Sequence, residues 1–433
     1  MKASRYQRRV VVTGIGLVTP LGCSVTKFWN GVANGRSGVS KISSFDAANF
    51  PVRIAAEVKG FDSSSHGISQ TQSPNCPRQT LFSLAAGLDA ARDAGVLDAI
   101  SNPRRAGVYL GCGEPFQHFE TFTDSVRQSA VTDQPLRIFD PELQQQYTPN
   151  MPAVQLAAHL NTQGPTKNCI AACVSATQAI GQSMRMIRRG DADMMFCGGA
   201  HSCVHEFGLT GFNRLSALSV QNEYPEQASR PFDRERDGFV VGEGAAVLVA
   251  EELGHARARG ARIYGEITGF GSAQDAFRVT DTHPDGRGTV NAMTRALKDS
   301  GLGVDDIDYI NAHGTSTSLN DKVETRAIRR VFRSAADSVS VSSTKSMIGH
   351  ATTACGGIEL AACLLTMQSG IVPPTINLEN SDPDCDLDYV PNIARSQKCQ
   401  HVLSNNIGFG GQNAAIVVSR FSDGSAQELR RAA

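Results

Sequence analysis

At 433 residues the chain exceeds the ~100–200 residues of one typical core, so two domains, or two fused halves, are expected. A formal net charge of −1 gives no electrostatic case for nucleic acid or an anionic membrane, and no run nears the ~18 apolar residues of a membrane span. Eleven cysteines, odd in number and without CxxC pairs, argue against a disulfide framework or a structural metal; after the basic Met1–Arg9, Val10-Val11-Val12 runs into a Gly turn without the ~7–15 apolar residues of a signal peptide, and a reducing cytoplasm is expected.

In chain order, Arg9–Gly16 predicts a strand and then a turn at Thr13-Gly14-Ile15-Gly16. Ser63–Gln79, rich in Ser and Gln with two prolines, predicts an exposed loop, and a helix closes at Leu88–Gly95. Gly107–Gly113 is a short strand entering a small-residue turn. Gln117–Tyr147 lacks firm periodicity and predicts a helical cap or partner-facing insertion. Cys169–Ala171 leads into a turn at Cys173 and a helix ending Arg188-Arg189-Gly190. The charged, Gly-rich Ser229–Gly244 precedes a strand over Ala245–Ala250 and a helix over Glu251–Arg259.

The pattern then repeats. Ile263–Gly271 ends Thr268-Gly269-Phe270-Gly271, a helix closes at Ala296–Gly301, and Ile307–Gly314 is again a strand entering a Gly turn. After a helix over Asp321–Phe332, Val339–Ser342 leads to a turn at His350 and a helix that closes at Gln368-Ser369-Gly370. His401–Ser404 is strand-like before Gly408-Phe409-Gly410-Gly411, and Ser422–Ala433 is a polar tail. Three matching pairs in the same order imply a duplicated α/β protein of βαβ units with mostly parallel sheets, divided into residues 1–259 and 260–433.

Four stretches carry chemistry. Cys173, between an apolar strand and a small-residue helix, places a soft nucleophile at a helix N-terminus, where exposed N–H groups are expected to lower its pKa. His313 and His350 each touch a glycine where a strand gives way to a loop or helix, the edge where α/β proteins gather ligands. A neutral imidazole there can donate a hydrogen bond to a developing oxyanion. Lys345 could act as a base, but an organising ion pair is favoured, with Glu324 as the candidate partner. In the Gly408–Gly411 turn, a backbone N–H could complete an oxyanion hole and Phe409 is free to swing.

These residues, in this order, resemble the β-ketoacyl-acyl carrier protein synthases along nearly the whole chain. The likeness is strongest to the elongating 3-oxoacyl-acyl carrier protein synthase II branch and to ketosynthase alpha subunits of type II polyketide synthases. Ser229-Arg230-Pro231-Phe232-Asp233, Val372–Asn377 and Asp386-Leu387-Asp388 also match. The resemblance implies a thiolase-like fold, with two βαβαβ-type halves packed as a five-layered α-β-α-β-α core. It implies Cys173 as the acylated nucleophile, and His313 and His350 as the residues that bind the malonyl carbonyl and assist decarboxylation. It further implies Lys345 with Glu324 as organisers, Phe409 as a gate, Thr315 and Thr317 on the pantetheine arm, and Phe212 along the acyl pocket. No cofactor or metal is expected. The implied partner is an acyl carrier protein, with assembly as a homodimer or as a heterodimer with a chain-length factor. Ala351-Thr352-Thr353-Ala354-Cys355, Gln412, Ile407, Ser216 and the loop Glu114–His118 depart from the family pattern. Those departures bear on chain length, carrier specificity and pathway. Fatty acid elongation is the first reading and a polyketide or polyene synthase the second; a non-catalytic chain-length subunit would lack Cys173.

Overall fold

The computed structural model describes residues 8–69, 76–113, 119–132 and 145–422. Its frame is ten strands in one hydrogen-bonded sheet. They are β1 (Val10–Val18), β2 (Ala106–Cys112), β3 (Thr166–Cys169), β4 (Met194–His201) and β5 (Gly244–Glu252), followed by β6 (Gly265–Gln274), β7 (Tyr309–Asn311), β8 (Ser340–Ser342), β9 (His401–Gly408) and β10 (Gln412–Ser419). The spatial order is β8-β7-β9-β10-β6-β1-β5-β4-β2-β3. From the centre outward, the first five strands run 1-5-4-2-3 and the last five run 6-10-9-7-8, the same order twice. The two sets meet along a short antiparallel seam, Val11 opposite Glu266 and Val12 opposite Gly265.

The sheet is mixed, where mostly parallel sheets were expected. β2 runs parallel to β3 and β4, and β7 to β8 and β9, as helical crossovers require. The β1–β5, β4–β5, β6–β10 and β9–β10 pairs are antiparallel. Only residues 409–411 separate β9 from β10, far too short for a crossover.

Helices form the other layers. α1 (Arg78–Asp93) covers β1 and β5; α4 (Arg287–Ser300), with α5 (Asn320–Phe332) packed on it, covers β6 and β10. Between the two strand sets lie α2 (Ser175–Arg189) and α6 (Cys355–Ser369), which touch each other and strands of both sets. This is the five-layered thiolase-like α/β arrangement. In α6 every residue from Cys355 to Met367 is buried, as expected of a helix apolar all round in a central layer.

The glycines of the repeated Thr-Gly-x-Gly words lie within strands rather than in turns. A Cβ on Gly16 would stand 1.9 Å from the Ala86 carbonyl oxygen of α1, and one on Gly271 would stand 2.0 Å from Ala292 O of α4. Each pair lets a helix backbone settle directly on its strand. The Ser63–Gln79 stretch holds a short 3-10 turn at Ser63–His66 and the start of α1. Within Gln117–Tyr147, Phe119–Thr132 is a helix. The loop Glu114–His118 and residues 423–433 lie outside the described residues.

Candidate active site

Cys173 lies in a 3-10 turn, Ala172–Val174, that runs into α2. Ala172 takes φ 49°, a region non-glycine residues seldom occupy, and so turns the chain sharply between strand and helix. Ser175 Oγ fixes the turn by accepting from Ala171 N–H at 2.8 Å and donating to Ala172 O at 2.7 Å. The expected lowering of the thiol pKa is overturned. Burial pushes Cys173 up to about 11, against the Lys345 charge and the backbone N–H groups of Phe409 and Cys173 itself. In the substrate-free site the sulfur is a thiol, because desolvation outweighs the favourable field.

His350 follows Gly349, whose φ 64° and ψ −169° lie in a region open essentially to glycine alone. A Cβ there would meet Val240 O at 2.9 Å. The turn aims His350 Nε2 at Cys173 Sγ, 3.1 Å away, while His350 Nδ1 accepts the Thr352 N–H at 3.2 Å. The His313 ring stands edge-on to that of His350, with centroids 5.2 Å apart. One ligand atom from each of Cys173, His313 and His350 falls within a 4.8 Å group. Burial, and then the Lys345 charge, hold both imidazoles well below their usual pKa.

The tautomers follow from the partners. Lys345 Nζ lies 3.2 Å from His313 Nδ1 and donates to His313 O at 2.7 Å. An ammonium has only protons to offer, so His313 Nδ1 accepts. Each neutral ring therefore has its Nδ1 engaged as an acceptor, and its proton sits on Nε2. The same ammonium beside the cluster repels a metal cation, so the donor set suits hydrogen bonding better than metal ligation.

Glu324 is not the partner of Lys345. The lysine is paired with Glu359 on α6, both wholly buried; burial alone would lower the Lys345 pKa, but the Glu359 charge and hydrogen bond, with smaller help from Cys355 and Glu324, raise it. Asn406 Nδ2 donates to the other Glu359 oxygen at 2.6 Å. Glu324 instead holds the His313 turn, accepting from His313 N–H at 2.7 Å, Gly314 N–H at 2.8 Å and Asn405 Nδ2 at 2.8 Å. Burial pushes Glu324 up to about 7. The sequence does carry a signal for Glu359: it is the single charge in Cys355–Ser369. A lone carboxylate in so apolar a helix needs a buried cation.

These groups open on one cavity of about 230 Å³. Cys173, His313, His350 and Phe409 line it, as do Thr315, Thr317 and Phe212, so it gathers the expected site residues except Lys345 and Glu324, which stand behind the histidines. Thr315 and Thr317 share a hydroxyl contact of 2.9 Å, and Asp321 accepts from Thr315 N–H at 3.0 Å. Helix α3 (Glu206–Arg214) brings in Phe212, whose ring meets Phe239 edge-on at 5.3 Å; Phe239 in turn meets His350 at 5.2 Å. Phe239 and Thr352 also line the cavity, though neither was given a role from the sequence.

Two family models match the chain: β-ketoacyl synthase, N-terminal domain, over residues 7–256, and β-ketoacyl synthase, C-terminal domain, over residues 264–379. A Synechocystis protein named 3-oxoacyl-[acyl-carrier-protein] synthase 2 is 40% identical over 419 residues, covering 97% of this chain and 100% of its own. The tetracenomycin polyketide synthase ketoacyl synthase alpha subunit of Streptomyces glaucescens is 40% identical over 418 residues, 96% of this chain and 97% of that one. A solved structure described as the ishigamide ketosynthase/chain length factor superposes with TM-score 0.88 at 32% identity, covering 96% of this chain and 100% of the other.

Proposed function

The chain belongs to the β-ketoacyl synthase family, acyltransferases that form carbon–carbon bonds by decarboxylative condensation, and from that premise we propose that Cys173, His313 and His350 carry the reaction. The observation that carries this reading is the 3.1 Å approach of His350 Nε2 to Cys173 Sγ beneath a shared cavity, with His313 in the same group. The substrates are acyl and malonyl thioesters of an acyl carrier protein.

Cys173 attacks the acyl thioester, and its proton leaves with the pantetheine thiol. The exchange of one thioester for another is close to isoenergetic, which suits a sulfur nucleophile. The malonyl thioester then places its carbonyl oxygen between the two Nε2–H donors. Loss of carbon dioxide leaves an enolate, and its negative oxygen is what those donors stabilise. The α-carbon attacks the acyl-cysteine carbonyl, whose oxyanion accepts from the N–H groups of Cys173 and Phe409. That attack forms the new carbon–carbon bond; collapse of the tetrahedral oxyanion then restores the carbonyl, breaks the carbon–sulfur bond and expels the Cys173 sulfur, which takes up a proton from solvent to return to the thiol. Lys345, held by Glu359, keeps His313 Nδ1 an acceptor, and Glu324 keeps the His313 turn in place. Thr315 and Thr317 bind the pantetheine arm, Phe212 borders the acyl chain and Phe409 gates it.

Residues 1–259 and 260–433 form the two duplicated halves in this reading, supported by the repeated strand order. We place the enzyme in the cytoplasm as a homodimer acting in fatty acid elongation. A second reading, a ketosynthase alpha subunit paired with a chain-length factor, is favoured by the likeness to the tetracenomycin subunit and the ishigamide structure. His350→Ala tests the site. We expect loss of malonyl decarboxylation by about a hundredfold or more, with acyl transfer to Cys173 retained in part. Mass spectrometry of the trapped acyl-enzyme decides it, and unimpaired decarboxylation refutes the role. Extension assayed with and without a second ketosynthase-like chain separates the two pathways.

A further inference from the structure

Behind His350 lies a polar pair that the mechanism above does not use. Thr352 is 7% exposed and lines the cavity, and its hydroxyl is hydrogen-bonded to Nδ1 of His201, itself 8% exposed, at the end of β4. The other ring nitrogen, Nε2, has no hydrogen-bond partner among the described residues and faces the space beside Gly113, where a Cβ would come within 3.4 Å of it. Thr352 takes φ 41°, an outlying conformation for a β-branched residue, so its hydroxyl is held in place by a constrained turn. Its N–H is fixed to His350 Nδ1, one imidazole away from the sulfur.

Cavity walls meant for a saturated chain gain nothing from such a pair. Burying two polar side chains beside an alkyl group costs free energy unless they are hydrogen-bonded, and here they satisfy each other only in part. Burial holds the His201 imidazole neutral, down to about 3, so either tautomer is open to it. With the proton on Nδ1, the ring donates to the threonine oxygen and the threonine O–H is free to donate to a carbonyl. With the proton on Nε2, Thr352 donates to Nδ1 and its oxygen accepts from a hydroxyl. The pair can therefore match a keto or a hydroxy group.

We infer that Thr352, backed by His201, is a specificity-determining residue that reads an oxygen on the acyl chain carried by Cys173, favouring 3-oxo or 3-hydroxy chains over saturated ones. This rests on the assignment of Cys173 as the acylated residue, and it favours the second, polyketide reading, because the chains loaded in fatty acid elongation are saturated at C3.

The test is single-turnover acylation of the full-length enzyme by hexanoyl, 3-hydroxyhexanoyl and 3-oxohexanoyl pantetheine thioesters, followed by intact mass spectrometry. We expect the oxygenated chains to load roughly tenfold faster, the size of one net hydrogen bond. Thr352→Val should abolish that ratio and Thr352→Ser should keep it. Equal or faster loading of hexanoyl by the unmodified enzyme overturns the inference whatever the variants do. So does a ratio that survives in Thr352→Val. Absence of any adduct on Cys173 refutes the nucleophile assignment instead.

Discussion

The turns Ala171–Ser175 and Ala351–Cys355 occupy matching places in the two strand sets and have nearly the same backbone. Each opens with a residue in the left-handed region, Ala172 at φ 49° and Thr352 at φ 41°, and passes through one 3-10 turn. Each then enters a 15-residue helix that ends at a left-handed glycine, Gly190 or Gly370. The position of Cys173 in the first turn is that of Thr353 in the second. Thr353 donates its hydroxyl to Ala200 O at 2.8 Å and does not line the cavity. The position of His350 is that of Ile170, which is 58% exposed. One turn supplies a sulfur without an imidazole, the other an imidazole without a sulfur. The duplicated scaffold provides two helix-entry turns facing each other, and side chains alone decide that one carries a thiol and the other an imidazole, 3.1 Å apart.

Breaking that division of labour at its centre has the largest effect. Cys173→Ala should lower condensation by about three orders of magnitude or more, while Cys173→Gln keeps or raises malonyl decarboxylation. Carbon dioxide release, measured beside acyl-chain extension, separates the two. Extension by either variant at the unmodified rate would sink the assignment.

Next is the support behind the histidines. Glu359→Gln strands Lys345 in a buried site and should cost about 3–5 kcal/mol, read from the urea midpoint at unchanged slope. Glu324→Gln, which disturbs hydrogen bonds but no ion pair, should cost about 1–3 kcal/mol. A larger loss for Glu324→Gln would reverse the assignment of the lysine's partner.

The raised thiol pKa predicts a pH profile. A group whose pKa lies near 11 is protonated at neutral pH, so its thiolate fraction grows about tenfold per pH unit until that value is approached. Alkylation of Cys173 by iodoacetamide should therefore keep climbing from about pH 7 to about pH 10, past the ~8.5 of a free cysteine. A plateau below that value would mean that the helix N-terminus outweighs burial. The smallest effect belongs to the equivalent position: Thr353→Val should cost about 1 kcal/mol of stability and leave condensation intact.

That Cys173, both histidines and the glycine turn share one cavity was legible because each sits in a short local word whose chemistry depends on its neighbours. The repeat was legible too, since Thr13–Gly16 and Thr268–Gly271 answer the same demand, a helix backbone resting on a strand. What those words could not show was the partner of Lys345. Glu324 lies 21 residues before the lysine and Glu359 lies 14 residues after it. Which of them meets the ammonium depends on how α6 is laid between the two strand sets, a matter of packing and not of spacing. The antiparallel pairs were hidden for a similar reason, since β4 and β5 are partners across more than forty residues of intervening chain.

By itself the sequence determined which side chains could do chemistry and that the scaffold is built twice, because local patterning and turn chemistry are written residue by residue. Only the tertiary structure decided the protonation of the site. The burial of Cys173 at the cavity wall, the pairing of Lys345 with Glu359 and the Nδ1 contacts that set both tautomers all arise from groups far apart in the chain. Desolvation and charge act through space, and burial is a property of the assembled layers.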